Sequence, residues 1–176
     1  TARGRFTYEN DATSQSIQLK TIQAARISSA GAVQGYDTLV WYKKFNTLAN
    51  PVEIWRRNGP GTTAYVWGYN GNYPVAEIVN ANYTDVVNIL GQSVIDDLIT
   101  NPGSDSQVRQ KLAGLRTAPS LDRAAITTYT YKLMVGVSSV ADVNGELTYY
   151  EYDEFNRLRN VRDNELNILK NFTYHY

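Results

Sequence analysis

The sequence predicts a mainly β fold, built from repeated antiparallel β-hairpins with one helical insert at about residues 84–116. Three observations lead to this prediction: a motif that recurs about every 21 residues, turn signals between short apolar segments, and a single stretch with helical spacing. A unit of this length holds two strands of six or seven residues and two turns. Because two strands alone cannot bury both faces, we expect the hairpins to join edge to edge into one continuous curved sheet.

The repeat is clearest in the last third of the chain. Tyr129-Thr130-Tyr131 recurs one repeat later as Tyr150-Glu151-Tyr152, and once more, after a repeat that is longer by a single position, as Phe172-Thr173-Tyr174. The shift between the first two copies also maps Val137 onto Leu158, Val140 onto Val161 and Asp142 onto Asp163. We therefore expect Tyr131, Tyr152 and Tyr174 to occupy equivalent places in successive strands and to point to one face.

The first half of the chain contains an N-terminal segment at 1–35, with strands expected at 6–8 and 17–27, and hairpin repeats at 36–82. Asn58-Gly59-Pro60-Gly61 separates two candidate strands and supplies turn residues. Trp67-Gly68-Tyr69 begins a weaker copy of the tyrosine repeat. Residues 36–82 are therefore predicted to form the same kind of hairpin as the end of the chain.

A helical insert is predicted at 83–124. Its first helix has apolar residues at helical spacing and can be capped by Thr84 or Asp85, and Asn101-Pro102-Gly103 ends it. A second short helix fits 106–116, and Pro119 follows it. Beyond the insert, residues 125–176 are predicted to return to hairpins. Asn144-Gly145 suits the positive-φ positions of a type I′ hairpin turn there, and the final strand is expected at 168–176.

The composition argues against several classes of function. Seventeen basic residues balance seventeen acidic ones, so nothing attracts the chain as a whole to the phosphates of a nucleic acid. Without cysteine, the chain can form neither disulfides nor a cysteine nucleophile or zinc site. A Ser-His-Asp triad would have to use His175, the single histidine, next to the last residue. We therefore expect no enzyme, no cofactor and no metal.

The sequence also shows no targeting or membrane signal. It contains no apolar run long enough to cross a bilayer, so no membrane span is expected. The segment from Thr1 to Lys20 does not have the pattern of a signal peptide. The chain is expected to be a fragment or a mature piece of something longer.

Two groups of residues have an alternative functional interpretation. Glu151, Asp153 and Glu154 form the densest acidic cluster, which suggests either a cation site or, as we favour, turn and solvent-facing acids near Arg157 and Arg159. A second group could form a platform on which sugars stack, although alternating aromatics on hairpins are more often packed in a core. Its members are Trp41, Tyr42, Trp55, Tyr65, Trp67 and Tyr69.

The end of the chain resembles the RHS/YD-repeat proteins, named for a Tyr-Asp pair. The core of the resemblance is Tyr152-Asp153 within residues 150–158, followed by Val161, Asp163 and Ile168-Leu169. This sequence has Asn156 where the family usually has glycine, and asparagine is the commonest other residue that tolerates the left-handed conformation. The repeat-motif residues are Tyr129, Tyr131, Tyr150, Tyr152, Asp153, Arg157, Leu158, Asp163, Phe172 and Tyr174.

Upstream, residues 65–78, the helical insert and residues 127–131 look like the terminal RHS-like region of large secreted proteins of Bacteroidota, so that the resemblance covers roughly 36–176. It implies a structural, non-catalytic segment of a secreted or cell-surface bacterial protein, forming a β-sheet wall or scaffold that encloses, spaces or displays an attached domain. The implied partners are other repeats of the same polypeptide, a downstream C-terminal domain or a partner protein on the terminal edge strand, and the secretion machinery. The alternative is a carbohydrate-binding module that uses surface Trp and Tyr residues.

Overall fold

A computed structural model describes residues 3–11 and 16–174. Within these residues, eleven antiparallel strands form one sheet, and the order of the strands in the sheet is their order in the chain. The prediction of a mainly β fold made of consecutive hairpins with a helical insert is therefore confirmed. The strands are β1 (Gly4–Asp11), β2 (Ser16–Ile27), β3 (Val33–Phe45), β4 (Pro51–Arg56), β5 (Gly61–Gly68), β6 (Tyr73–Val79), β7 (Ala125–Lys132), β8 (Gly136–Ala141), β9 (Leu147–Tyr152), β10 (Leu158–Arg162) and β11 (Ile168–Asn171).

The helical insert connects β6 to β7 and contains more breaks than its apolar pattern predicts. It consists of α1 (Tyr83–Leu90), α2 (Gln92–Thr100), α3 (Asp105–Leu112), α4 (Gly114–Thr117) and a short 3-10 helix at Pro119–Leu121. The expected first helix is split at Gly91, whose φ of 80° lies in the left-handed region and interrupts the helical path. None of the described helices is both long and apolar enough to cross a membrane.

The hydrophobic core lies between this insert and the middle of the sheet. The side chains of Val86, Leu98, Val108 and Leu115 are fully buried against small and branched residues of β5, β6 and β7. Gly68 permits a close approach of α2, because a Cβ atom there would lie 3.0 Å from the Leu98 carbonyl oxygen. The Tyr69 amide donates to that same oxygen at 3.1 Å, so the end of β5 is bonded directly to α2.

A buried carboxylate joins the insert to the N-terminal half of the sheet. Glu53 on β4 is only 2% exposed, and its oxygens accept hydrogen bonds from Lys43 at 2.7 Å, Lys44 at 3.3 Å and the Tyr83 amide at 3.0 Å. Burial by itself would raise the pKa of Glu53, but these bonds outweigh it and lower the pKa. The expected capping of α1 by Thr84 or Asp85 is wrong: Asn82 precedes the helix without a side-chain cap, and Glu53 supplies the acceptor from a distant strand.

We expect Glu53→Ala to lower the free energy of unfolding by about 2 kcal/mol, because it leaves the Tyr83 amide and two paired ammonium groups without their acceptor. Urea denaturation followed by circular dichroism measures the change. The matched control is Glu146→Ala at an exposed turn position, with an expected change below about 0.5 kcal/mol. Equal effects of the two substitutions would show that Glu53 does not join the insert to the sheet.

Candidate functional site

Four aromatic side chains make the same hydrogen bond in four pairs of strands. In each pair, the aromatic residue lies near or just beyond the C-terminal end of the second strand. Its ring donates a hydrogen bond to the backbone carbonyl of the first or second residue of the first strand. We call these residues the aromatic anchors. The bonds are Trp67 Nε1 to Pro51 O at 2.9 Å, Tyr131 OH to Pro74 O at 2.9 Å, Tyr152 OH to Val137 O at 2.9 Å, and Tyr174 OH to Leu158 O at 2.8 Å.

The anchors act where a strand emerges from a turn. There the ladder of backbone hydrogen bonds has just begun, so a carbonyl needs a partner from a side chain or from water. A ring with a polar tip covers the neighbouring strand with its apolar part and reaches the carbonyl with its donor. Gly136 leaves room for this at Tyr152, because a Cβ atom would clash with the tyrosine hydroxyl. Each anchor thus stabilises one end of a pair of neighbouring strands.

Residues at the same position of successive repeats have equivalent cross-strand partners. Tyr129 lies opposite Val140 and Tyr150 lies opposite Val161, so the cross-strand partners shift by the same interval as the tyrosines. Phe172 follows β11, and its amide donates to the Arg159 carbonyl at 2.8 Å. Tyr131, Tyr152 and Tyr174 are all anchors.

In the weaker copy of the repeat, the anchor lies two residues before the position that the repeat predicts. The repeat places Tyr69 at the position of Tyr131, but Trp67 is the anchor. Tyr69 lies in the turn after β5 with a φ of 52° and is only 5% exposed. Its ring meets Tyr73 and Tyr131 edge to face, and its hydroxyl accepts from the Tyr131 amide. The repeat spacing alone did not identify Trp67 as an anchor, although its indole N–H could have indicated this role, since it is a hydrogen-bond donor on an aromatic ring.

A five-residue turn also recurs through the sheet. It begins at Ser28, Asn46, Asp142, Asp153 or Asp163, whose side-chain oxygen accepts the amide of the fifth residue. In the four turns that begin with Asn or Asp, the same oxygen also accepts the amide of the third residue. The backbone of the first residue is bonded to the fourth and fifth residues in all five turns. We call these the Asx/Ser turns.

The fourth residue of each Asx/Ser turn has a left-handed backbone. The φ values are 80° at Gly31, 60° at Ala49, 87° at Gly145, 60° at Asn156 and 66° at Leu166. Glycine adopts this conformation freely and asparagine tolerates it, whereas alanine and leucine are strained by roughly 1–2 kcal/mol. This requirement explains why asparagine can replace glycine at position 156. The prediction of a type I′ turn at Asn144-Gly145 is wrong, because Gly145 has a positive φ but Asn144 does not, and both residues belong to the longer turn that begins at Asp142. The turns at Ser28 and Asn46 were not recognised from the sequence, although Phe45-Asn46 parallels Tyr152-Asp153.

The turn that begins at Asp153 and the anchor Tyr174 meet at Arg157. This side chain pairs with Asp153 Oδ2 at 2.7 Å, and its guanidinium carbon lies 4.3 Å from the centroid of the Tyr174 ring. Tyr174 in turn donates to Leu158, so four of the repeat-motif residues form one connected group. The group links the turn before β10 to the segment after β11. Such a contact stabilises neighbouring hairpins together.

The turn aspartates have lowered pKa values. At Asp153, burial would raise the pKa, but hydrogen bonds from the Arg157 side chain and from the amides of Arg157 and Phe155 lower it overall. At Asp163, the Asn167 side chain is the main cause of the lowered pKa, and the amides of Asn167 and Glu165 add to it. The hydrogen bonds within each turn therefore favour the ionised form of both carboxylates.

The other acidic residues of the expected cluster do not join Asp153. Glu151 accepts from Asn160 Nδ2 and from Arg162 Nε, both at 2.7 Å, and these bonds lower its pKa. Of the two arginines expected near this cluster, Arg157 pairs with Asp153, whereas Arg159 affects Glu151 only through its charge. The arginine that pairs with Glu151 is Arg162, which the sequence did not indicate. Among residues 3–11 and 16–174, no three His, Cys, Asp or Glu side chains come together as a possible metal site. His175 lies outside the described residues.

The six aromatic residues considered as a sugar platform do not share one surface. Tyr69 is buried in the core, Tyr65 donates to Glu77 at 2.8 Å, and Tyr42 stacks on Phe45. Trp41 and Trp55 form a separate pair, directly opposite each other on β3 and β4.

No family model and no curated protein matches this sequence. Solved structures with a similar fold include two that contain TcdB2-TccC3. One is described as TcdB2-TccC3 without hypervariable C-terminal region, with a TM-score of 0.50 and 11% identity over 92% of this chain and 7% of that chain. The other, described as TcdB2-TccC3-TEV, has a TM-score of 0.52 and 13% identity over 97% of this chain and 8% of that chain. This chain is thus similar in fold to a small piece of a much longer protein.

We expect Tyr152→Phe to lower the free energy of unfolding by about 1 kcal/mol, because it removes one hydrogen bond from a part-buried carbonyl and keeps the ring. Urea denaturation measures the difference. Tyr150→Phe is the control, since this neighbouring ring is also half-buried but its hydroxyl makes no hydrogen bond to another described residue. If both substitutions had the same effect, the anchor bond would have no special role.

Acid should weaken the Asx/Ser turns. Because the folded pKa values of Asp153 and Asp163 are lowered, their contribution is complete above the unfolded pKa of about 3.9 and is lost as the pH falls through the folded values. The double variant Asp153→Asn/Asp163→Asn keeps an acceptor oxygen in each turn but does not titrate. Its unfolding free energy should therefore fall less steeply with acid than that of the wild type.

Urea titrations at several pH values between about 2.5 and 5.5, on either side of the unfolded carboxyl pKa, measure these slopes. Asp122→Asn, at an exposed position outside the turns, should leave the slope unchanged. A slope that the double variant does not reduce would show that other carboxylates determine the acid sensitivity.

Proposed function

We propose that this chain is a non-catalytic structural segment of a large secreted or cell-surface bacterial protein of the RHS/YD-repeat kind. Its sheet would serve as a wall or scaffold that encloses, spaces or displays an attached domain. The observation that carries this proposal is the recurrence of one hydrogen-bonded unit, an aromatic anchor with an Asx/Ser turn, in the two hairpins β8–β9 and β10–β11.

Repetition of this kind suits a wall. Each strand pairs only with its neighbours in the chain, so the addition of another hairpin lengthens the sheet without changing the rest. The repeat-motif residues contact one another and the backbone, which is the pattern of a structural motif. The similarity to a small part of the TcdB2-TccC3 structures supports the idea of a segment within a longer sheet.

The unpaired edge of β11 is the feature on which our proposal about partners is based. We expected this strand to extend over 168–176, but β11 ends at Asn171, and His175 and Tyr176 lie outside the described residues. Its four residues, Ile168, Leu169, Lys170 and Asn171, are all exposed, and β10 is its single partner among the described strands. An edge of this kind offers unpaired backbone groups to another strand. We propose that a following repeat, a C-terminal domain or a partner protein covers it.

The test is whether the chain associates with itself through this edge. The Phe172 amide donates to the Arg159 carbonyl, so it points toward β10. Successive residues of an antiparallel strand direct their backbone amides to opposite sides, so the Asn171 amide points away from β10, toward the unpaired edge. Asn171→Pro removes that outward donor and should reduce self-association. Light scattering over a range of concentrations, with amide exchange of 168–174, measures the effect.

Asn171→Ala is the matched control. It removes the same side-chain hydrogen bond to Asn160 but keeps the backbone donor, so it should associate like the wild type. A wild-type chain that stays monomeric at high concentration, with 168–174 as protected as 149–152, would show that the edge needs no partner. The scaffold proposal would then lose its support from the terminal strand.

A further inference from the structure

Trp41 and Trp55 line a groove on the N-terminal half of the sheet. The two residues face each other across β3 and β4, and Trp41 is 42% exposed although it is a large apolar side chain. Together with Thr21, Thr38 and Lys43 they border a cavity of about 470 Å³. This size and a mainly apolar lining, with two indole rings and a few polar groups, are typical of small-molecule sites.

A second cavity adjoins the first, since Lys43 lines both. It has a volume of about 590 Å³ and a different lining, rich in groups that can form hydrogen bonds. Amides, a carboxylate and ammonium groups surround it, together with the rings of two aromatic residues. Its polar residues include Glu9, Asn10, Gln18 and Lys20, and its rings are Phe45 and Tyr83. An extended ligand could therefore meet an aromatic surface at one end and a polar surface at the other.

The charges around both cavities are already paired. Lys43 and Lys44 bind the buried carboxylate of Glu53, at 2.7 and 3.3 Å, and Lys20 binds Glu9 at 2.6 Å. A phosphate or a carboxylate ligand would have to compete with these ion pairs. The cavities therefore favour an uncharged ligand that forms many hydrogen bonds.

The hydroxyl groups in the aromatic cavity can still bond to such a ligand. Thr38 accepts a hydrogen bond from Gln23 Nε2 at 3.2 Å, which leaves the Thr38 proton available for donation. The hydroxyl of Thr21 pairs with that of Thr7 at 2.5 Å, so one of its lone pairs remains open. Hydroxyls beside two indole rings match the surface of a pyranose, which has an apolar C–H face and a rim of hydroxyl groups.

We propose that these two cavities form a binding site for a neutral oligosaccharide, with one pyranose ring against Trp41 and Trp55 and the following sugar units in the polar cavity. The site is separate from the repeat motif and does not depend on the scaffold function. It uses two of the six aromatic residues that the sequence suggested for a platform, at a place set by the pairing of β3 with β4.

The experiment titrates the full chain with hexasaccharides of β-1,4-glucose, β-1,4-N-acetylglucosamine, β-1,4-xylose, β-1,4-mannose and β-1,3-glucose. Tryptophan fluorescence and calorimetry detect binding. At least one sugar should give a saturable change, and Trp41→Ala should weaken its binding by about tenfold or more, as loss of a stacking ring requires. Because Trp41 lies at the surface and is 42% exposed, this substitution should leave the strand content measured by far-UV circular dichroism unchanged.

Tyr8→Ala is the matched control, as Tyr8 is 63% exposed on β1 and lines neither cavity. It should change the affinity less than about twofold, which corresponds to a negligible free-energy difference. Three results would overturn the proposal: no sugar of the panel binds at millimolar concentration, Trp41→Ala binds as well as the wild type, or Trp41→Ala abolishes self-association of the chain without affecting sugar binding. The last result would identify the groove as a surface for another copy of the chain.

Discussion

The hydrogen bond from an aromatic side chain to the carbonyl at the start of the preceding strand is the interaction on which the repeated part of this fold depends. In this sheet each strand pairs only with the strands next to it in the chain, so the ends of the hairpins are not held by elements that are distant in the sequence. Trp67, Tyr131, Tyr152 and Tyr174 supply support within four of the strand pairs. The Asx/Ser turns supply it at the connections, because one side-chain oxygen holds two backbone amides in place.

The helical insert has a different role, because it provides the hydrophobic core. The fully buried apolar residues are concentrated in α1 to α4 and in the three strands beneath them, whereas the outer strands β1 and β11 carry mostly exposed side chains. Glu53 and Gly68 join the insert to the sheet through a buried carboxylate and a close backbone contact. Stability is therefore expected to decrease from the middle of the sheet toward both of its edges.

Electrostatic interactions are local in the repeated part of the sheet. Acids of the repeat are bonded to a partner in the same turn or in the next strand, as Asp153 is to Arg157 and Glu151 is to Arg162. This local pairing is consistent with equal numbers of acidic and basic residues in the sequence. It also explains why the acidic cluster at 151–154 does not converge on one point. A structural interpretation of these residues therefore accounts for their positions.

The sequence by itself determined the class of fold, because its repeat spacing, turn residues and aromatic alternation are local properties that each hairpin expresses separately. It also indicated which residues form the repeat, including Tyr152, Asp153 and Arg157. Only the tertiary structure decided which ring acts as the anchor in the weaker copy, how α1 is capped, and that Trp41 meets Trp55. These features depend on the register between strands and on contacts such as that of Glu53 with Tyr83, which is distant along the chain. Periodicity in one segment carries no information about the bulges that set such a register, so these contacts could not be predicted from it.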